Sequence, residues 1–106
     1  MNIKKTPIPV KRALKKLGRD LADARKRRRI PMQLAADRAG ISRTTLYKIE
    51  KGNEGASIEA YARVLFVMGM IERFGDLADV KFDQMGLALE GEHLPKRIHL
   101  SRKEKE

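Results

Sequence analysis

Two short helical patterns meet at a glycine in AADRAGISRTTLYKIEKG, residues 35–52, with only Ile41 and Ser42 between Gly40 and the second pattern. Gly40 stands where a helix wants a left-handed C-cap, and Ser42 is a good N-cap for the helix that follows. Ala36 is small where two helices would cross at close range, and a bulkier side chain would force them apart. Ala35 and Ala39 complete the apolar face of the first helix. Ile41, then Leu46 and Ile49 at i, i+3 spacing, supply the face of the second. This spacing predicts a clamped pair crossing at a steep angle, with the second helix's other face free.

The rest of the chain reads as more helices. Residues 1–9 carry Pro7 and Pro9 among Lys and Thr, which predicts an extended basic arm. Val10, Leu14, Leu17, Leu21 and Ala24 then form one stripe of a helix. That helix is expected to end near Arg29, because Pro31 disfavours helical geometry at Ile30. Pro31 suits the first turn of a helix over 31–39. The next helix spans about 43–51 and stops at Gly52. Ser57 caps a fourth that runs to about Met68, with Ile58, Ala62 and Leu65 buried and Tyr61 and Met68 at the edge. A fifth, around 70–79, presents Ile71, Phe74 and Leu77 or Ala78.

Past residue 79 the pattern weakens. DQMGLALE (83–90) allows a turn or two of helix. HLPKRIHL (93–100) contains Pro95 and alternates Ile98 with Leu100, so it reads as an extended segment or short strand. SRKEKE (101–106) is a charged tail expected to be disordered. The organisation expected is an arm at 1–9, a helical domain at 10–79, an extension at 80–100 for dimer or partner contacts, and the tail.

Charge narrows the function. The formal net charge is +10, and residues 1–52 hold 16 Lys and Arg against 4 Asp and Glu, while residues 53–106 hold 8 against 10. All the excess positive charge therefore sits on the half that contains the helical pair, which suits a polyanionic partner. A solvated basic helix is the plainer reading. Aromatics make up only 5% of the chain, which weakens a single-strand coating role, because such proteins stack bases on rings.

Other classes find little support. There are no cysteines, so disulfides and thiolate metal sites are excluded. No apolar run approaches the ~18 residues of a membrane helix, and the N-terminus lacks the apolar core of a secretion signal. These features predict a cytoplasmic protein. His93 and His99 have no companion ligands, and no nucleophile–base pair or phosphate-cradling glycine loop is visible. A non-enzyme without metal or cofactor is expected. VLFVMGMI (64–71) is apolar on every side, so it is either deep core or has its outer face covered by a second subunit, the second favoured because so short a chain cannot bury all of it.

The free face of the second helix of the pair reads Arg43, Thr44, Tyr47, Lys48 and Lys51, with no acid among them. Such a helix fits the major groove with its N-terminal residues nearest the base edges. Ser42 and the free N–H groups at its start can hold a phosphate.

Residues 17–69 resemble the XRE family, the phage Cro/repressor type of helix-turn-helix. The resemblance is carried by LGRDLADARKRRR, then LAADRAGISRTTLYKIEKG, then SIEAYARVLFVMG, in order. It implies an all-α, five-helix, lambda-repressor-like DNA-binding domain and a double-stranded, palindromic operator bound by a homodimer. By the same resemblance Arg43, Thr44 and Lys48 read base edges. Thr45 and Tyr47 flank the groove, and Ser42, Lys51 and Asn53 contact phosphate. Arg25 and Glu50 occupy the places of a structural ion pair. One departure stands out: where family members commonly start the second helix with glutamine, this chain has Met32, with Gln33 beside it as a substitute backbone contact.

The flanks are similar to a narrower group. KTPIPVKRALKKLG, RRRIPM and GLALEGEHLPKRIHL resemble HipB-type antitoxins, which repress their own operon and bind a HipA-type kinase toxin. A free-standing phage- or mobile-element-type repressor, and an antitoxin acting mainly through protein binding, are the competing expectations.

Overall fold

The computed structural model describes the backbone of residues 5–97 and the side chains through Glu92. Residues 1–4 of the expected arm, 98–100 of the expected strand and the tail 101–106 lie outside the described residues. The chain divides into two compact units, Met1–Phe74 and Gly75–Glu106. The described residues are all-helical: six helices and one 3-10 turn, with no strand among them.

In the first unit, α1 spans Ile8–Arg27, α2 Met32–Ala39, α3 Arg43–Glu50, α4 Ile58–Val67, and α5 Ile71–Gly75 straddles the boundary. The core gathers Leu21 and Ala24 of α1, Ala35, Ala36 and Ala39 of α2, Leu46 and Ile49 of α3, and Ala60, Tyr61 and Val64 of α4, with Met68. Three alanines on one face let α2 sit close to both α3 and α4, which hold it on two sides.

Helix α1 starts earlier than the stripe from Val10 suggests, because Pro7 stands at its N-cap and the carbonyl of Pro7 accepts from Val10 and Lys11. Pro9 falls in the first turn, where a missing N–H is no loss. Ile8 and Pro9 therefore belong to the helix and not to an arm.

Four helices in a row end the same way. At each, a residue with positive φ donates to the carbonyl three residues back, and its successor donates to the one five back, closing a Schellman motif. Gly40, Gly52 and Gly69 take the left-handed position after α2, α3 and α4, but after α1 the residue is Arg29, with φ 55. A non-glycine residue in that conformation carries strain of about 1–2 kcal/mol. Part of any relief is lost to the more flexible unfolded chain. Arg29→Gly is therefore expected to raise stability by about 0.5–1 kcal/mol. Thermal unfolding checks this, and an unchanged or lowered midpoint would contradict it.

The buried stripe of α4 differs from the sequence reading. Ala60, Tyr61, Val64 and Met68 face the core, while Ile58 is exposed and Ala62 and Leu65 are only half-buried. IEAYARVLFV is apolar nearly all round, so periodicity offers two stripes and the fit against α2 selects one. Tyr61 is thus buried rather than at the edge. Its hydroxyl has no hydrogen-bond partner among the described residues, and burial raises its pKa.

In the second unit the 3-10 turn Val80–Phe82 packs against α6, Gln84–Arg97. Asp79 accepts from Lys81 N–H, and Asp83 accepts from Gly86 N–H at 2.9 Å, capping α6. The expected fifth helix is cut short at Gly75, and Leu77 and Ala78 are exposed outside it. The expected extended segment at 93–100 is helical through Arg97. Helix α6 is capped and runs through Leu87, Ala88, Leu89 and Glu90, good helix formers, and it continues past Pro95, which has no N–H to give.

Candidate nucleic-acid interface

Helix α3 is fixed at its start, along its inner face and at its exit. At the start, Ser42 accepts from the Thr45 N–H at 3.0 Å and donates its hydroxyl to Thr45 Oγ1 at 2.9 Å. Along the inner face, Leu46 and Ile49 are fully buried against α1 and α2. At the exit, the Asn53 N–H reaches back to the Lys48 carbonyl at 2.9 Å.

The exit is also pinned to α1. Arg25 Nε donates to Glu50 Oε2 at 2.7 Å and Arg25 Nη2 to Glu50 Oε1 at 3.0 Å, a two-pronged pair. The third guanidinium nitrogen, Nη1, donates to the Ile30 carbonyl at 3.0 Å. One side chain thus joins α1, the turn into α2 and the end of α3. The two side chains are only 11% and 8% exposed. Hydrogen bonding to Glu50 raises the Arg25 pKa, against the opposing cost of burial. Elsewhere between α1 and the end of α3, Gly18 passes the carbonyls of Ile49 and Glu50, and Gly52 passes the backbone of Lys15.

The outer face of α3 is open. Arg43, Thr44, Tyr47 and Lys48 are exposed on it, with Lys51 and Asn53 exposed at its exit. Lys51 Nζ lies 5.5 Å from the Tyr47 ring centroid, a cation–π contact that holds both side chains at the C-terminal end of the face. Ser42 is exposed but its hydroxyl is committed to the cap, and Thr45 is half-buried beside it.

Gln33 stands at the start of α2, and its amide donates to Asp37 Oδ1 at 3.0 Å along its own helix. Met32 packs partly against the core. Neither side chain caps α2, whose N-cap is Pro31. Two further arginines are structural. Arg28 bridges the carbonyls of Ala24 and Met68, and Arg63 reaches the Ala39 carbonyl. The KRRR run (26–29) gives no sign of the Arg28 bridge, because its acceptor lies 40 residues away.

Chemically the face offers donors, a ring and positive charge, the complement of base edges and phosphates. Among the described residues no group of three His, Cys, Asp or Glu gathers as metal ligands, and no helix is long and apolar enough to cross a membrane.

The family model described as Helix-turn-helix domain matches residues 16–79, more than half of the chain. No curated protein and no solved structure matches it. The matched span takes in α2, α3 and the turn between them, and the chain belongs to the helix-turn-helix domain family, a family of DNA-binding proteins.

Proposed function

We propose that the protein is a sequence-specific transcriptional regulator of double-stranded DNA, acting as a dimeric repressor with α3 as its recognition helix. The observation that carries this reading is the division of α3. Leu46 and Ile49 are fully buried, while Arg43, Thr44, Tyr47 and Lys48 stand exposed with no acid among them. Arg43, Thr44 and Lys48 read base edges. Ser42, Thr45, Tyr47, Lys51 and Asn53 contact or flank the backbone, and so does Gln33, whose amide gives one N–H to Asp37 and keeps a second for phosphate.

Dimerisation is supported by α4. With its inner stripe against α2, its outer stripe leaves Ile58 72% and Phe66 69% exposed, with half-buried Ala62 between them at i, i+4, i+8 spacing. A second copy covering this face places two recognition helices in successive major grooves, so the operator is palindromic.

Selection from random duplexes followed by quantitative titration tests the reading. Arg43→Ala is expected to relax preference at one position per half-site, losing about 1–3 kcal/mol of discrimination. Lys51→Ala is expected to weaken binding to all sequences and lower the salt slope by about 1. Unchanged operator preference in Arg43→Ala would remove that residue from the reading head.

A second reading, an antitoxin role with a HipA-type kinase toxin as partner, draws support from the second unit. None of its described side chains is buried, and Leu77, Val80, Phe82, Met85, Leu87 and Leu89 are exposed. So many uncovered apolar side chains favour a protein partner. Co-purification with the product of a neighbouring kinase gene tests it, and recovery of the protein alone would oppose it.

A further inference from the structure

The segment ahead of α1 is tied to the loop that follows α3. The Thr6 hydroxyl donates to Glu54 Oε1 at 2.8 Å, and Lys11 Nζ lies 3.9 Å from Glu54 Oε2. Glu54 comes two residues after Gly52, where the chain leaves the open face of α3. Further along α1, Lys15 lies against Gly52 and Gly18 against Ile49 and Glu50. Positions 11, 15 and 18 share one face of α1. Thr6 and Glu54 extend that seam beyond the end of the helix, toward the N-terminus.

A carboxylate at this place is unexpected on a surface that binds phosphates. The exposed pair with Lys11 contributes little stability at its separation, and the charge repels a polyanion. Its contacts give it a different use. Lys5 and Lys15 are exposed and have no ion-pair partner among the described residues. Both lie on the chain that the seam holds beside the exit of α3.

We propose that Glu54 is a positioning residue. It holds the segment ahead of α1 so that Lys5, together with Lys15, contacts DNA phosphates beyond the C-terminal end of the recognition helix. This inference rests on the reading of α3 as that helix.

The sign of one substitution separates this from plain electrostatics. If Glu54 only repels DNA, Glu54→Ala tightens operator binding. Under the proposal Glu54→Ala weakens it, about three- to tenfold, because the phosphate contact is lost with its support. Thr6→Val weakens binding in the same direction without changing any charge. Lys5→Ala lowers the salt slope by about 1 in the otherwise wild-type protein and by much less in the Glu54→Ala background, a coupling that a double-mutant cycle measures. Thermal unfolding of each variant checks that the fold is unchanged.

Equal or tighter operator binding by Glu54→Ala overturns the proposal, and so does an equal effect of Lys5→Ala in both backgrounds. If either occurs while Arg43→Ala still shifts operator preference, the recognition-helix reading stands and only this inference falls. If the wild-type protein selects no duplex at all, both fall.

Discussion

Glu50→Ala is expected to destabilise the protein by about 3–5 kcal/mol, because it leaves the Arg25 guanidinium buried without its carboxylate. The pair is closed on both prongs, at 2.7 and 3.0 Å, and its side chains are almost withdrawn from solvent. The loss is a large share of the 5–15 kcal/mol that holds a typical domain folded. Denaturant titration measures it. A loss below about 1 kcal/mol, typical of an exposed pair, would mean that water reaches the pair freely.

The attraction itself is not what is being lost. Two charges taken out of water together roughly break even, whereas one left behind does not. The double replacement Arg25→Met with Glu50→Leu is therefore expected to cost less than Glu50→Ala alone. It still strips the Ile30 carbonyl of its donor, so it does not reach wild-type stability. The surviving fold should also bind DNA less well, because Arg25 holds the exit of α3 in place.

Gly52→Ala is expected to cost about 2–4 kcal/mol, from two separable sources. The backbone at Gly52 has φ 73, which an alanine adopts only with strain. An added methyl would also stand 2.6 Å from Lys15 Cα and 2.9 Å from Lys15 N, atoms that cannot move unless α1 does. Gly69 supplies the control, since its φ is 76 but no atom lies within 4 Å of an added methyl. Gly69→Ala should therefore show only the conformational part, about 1–2 kcal/mol. If the two substitutions cost the same in thermal unfolding, the close approach of α1 to α3 is softer than its geometry indicates.

Much of the fold is legible in local chemistry. Gly40, Gly52 and Gly69 mark helix ends because only glycine takes the left-handed turn without strain. Ser42 and Ser57 mark helix starts because a short hydroxyl satisfies a free N–H there. Ala35, Ala36 and Ala39 fall on one face by spacing alone, and they lie in the core. Arg29 escapes this reading, since nothing local distinguishes an arginine that takes a glycine's place after α1.

The register of α4 was not legible either. Ile58, Ala62 and Leu65 form as good a stripe as Tyr61, Val64 and Met68, and only contact with α2 chooses between them. That choice leaves Phe66 and Ile58 exposed. The open face of α3 could be listed from periodicity, but not the state of its residues. Ser42 at its start is engaged with Thr45, and Gln33, on α2, with Asp37.

The sequence by itself determined the ends of α2, α3 and α4 and the apolar clamp of α2 on α3, because each rests on neighbours within a turn or two, and it carries the one-sided charge. Only the tertiary structure decided what meets across α1 and α3. The partners there that no reading of the sequence named, Lys15 with Gly52 and Thr6 with Glu54, are separated by 37 and 48 residues. No local pattern encodes contacts at that separation, because they arise from the packing of whole helices. They set where α3 ends and what lies beside it.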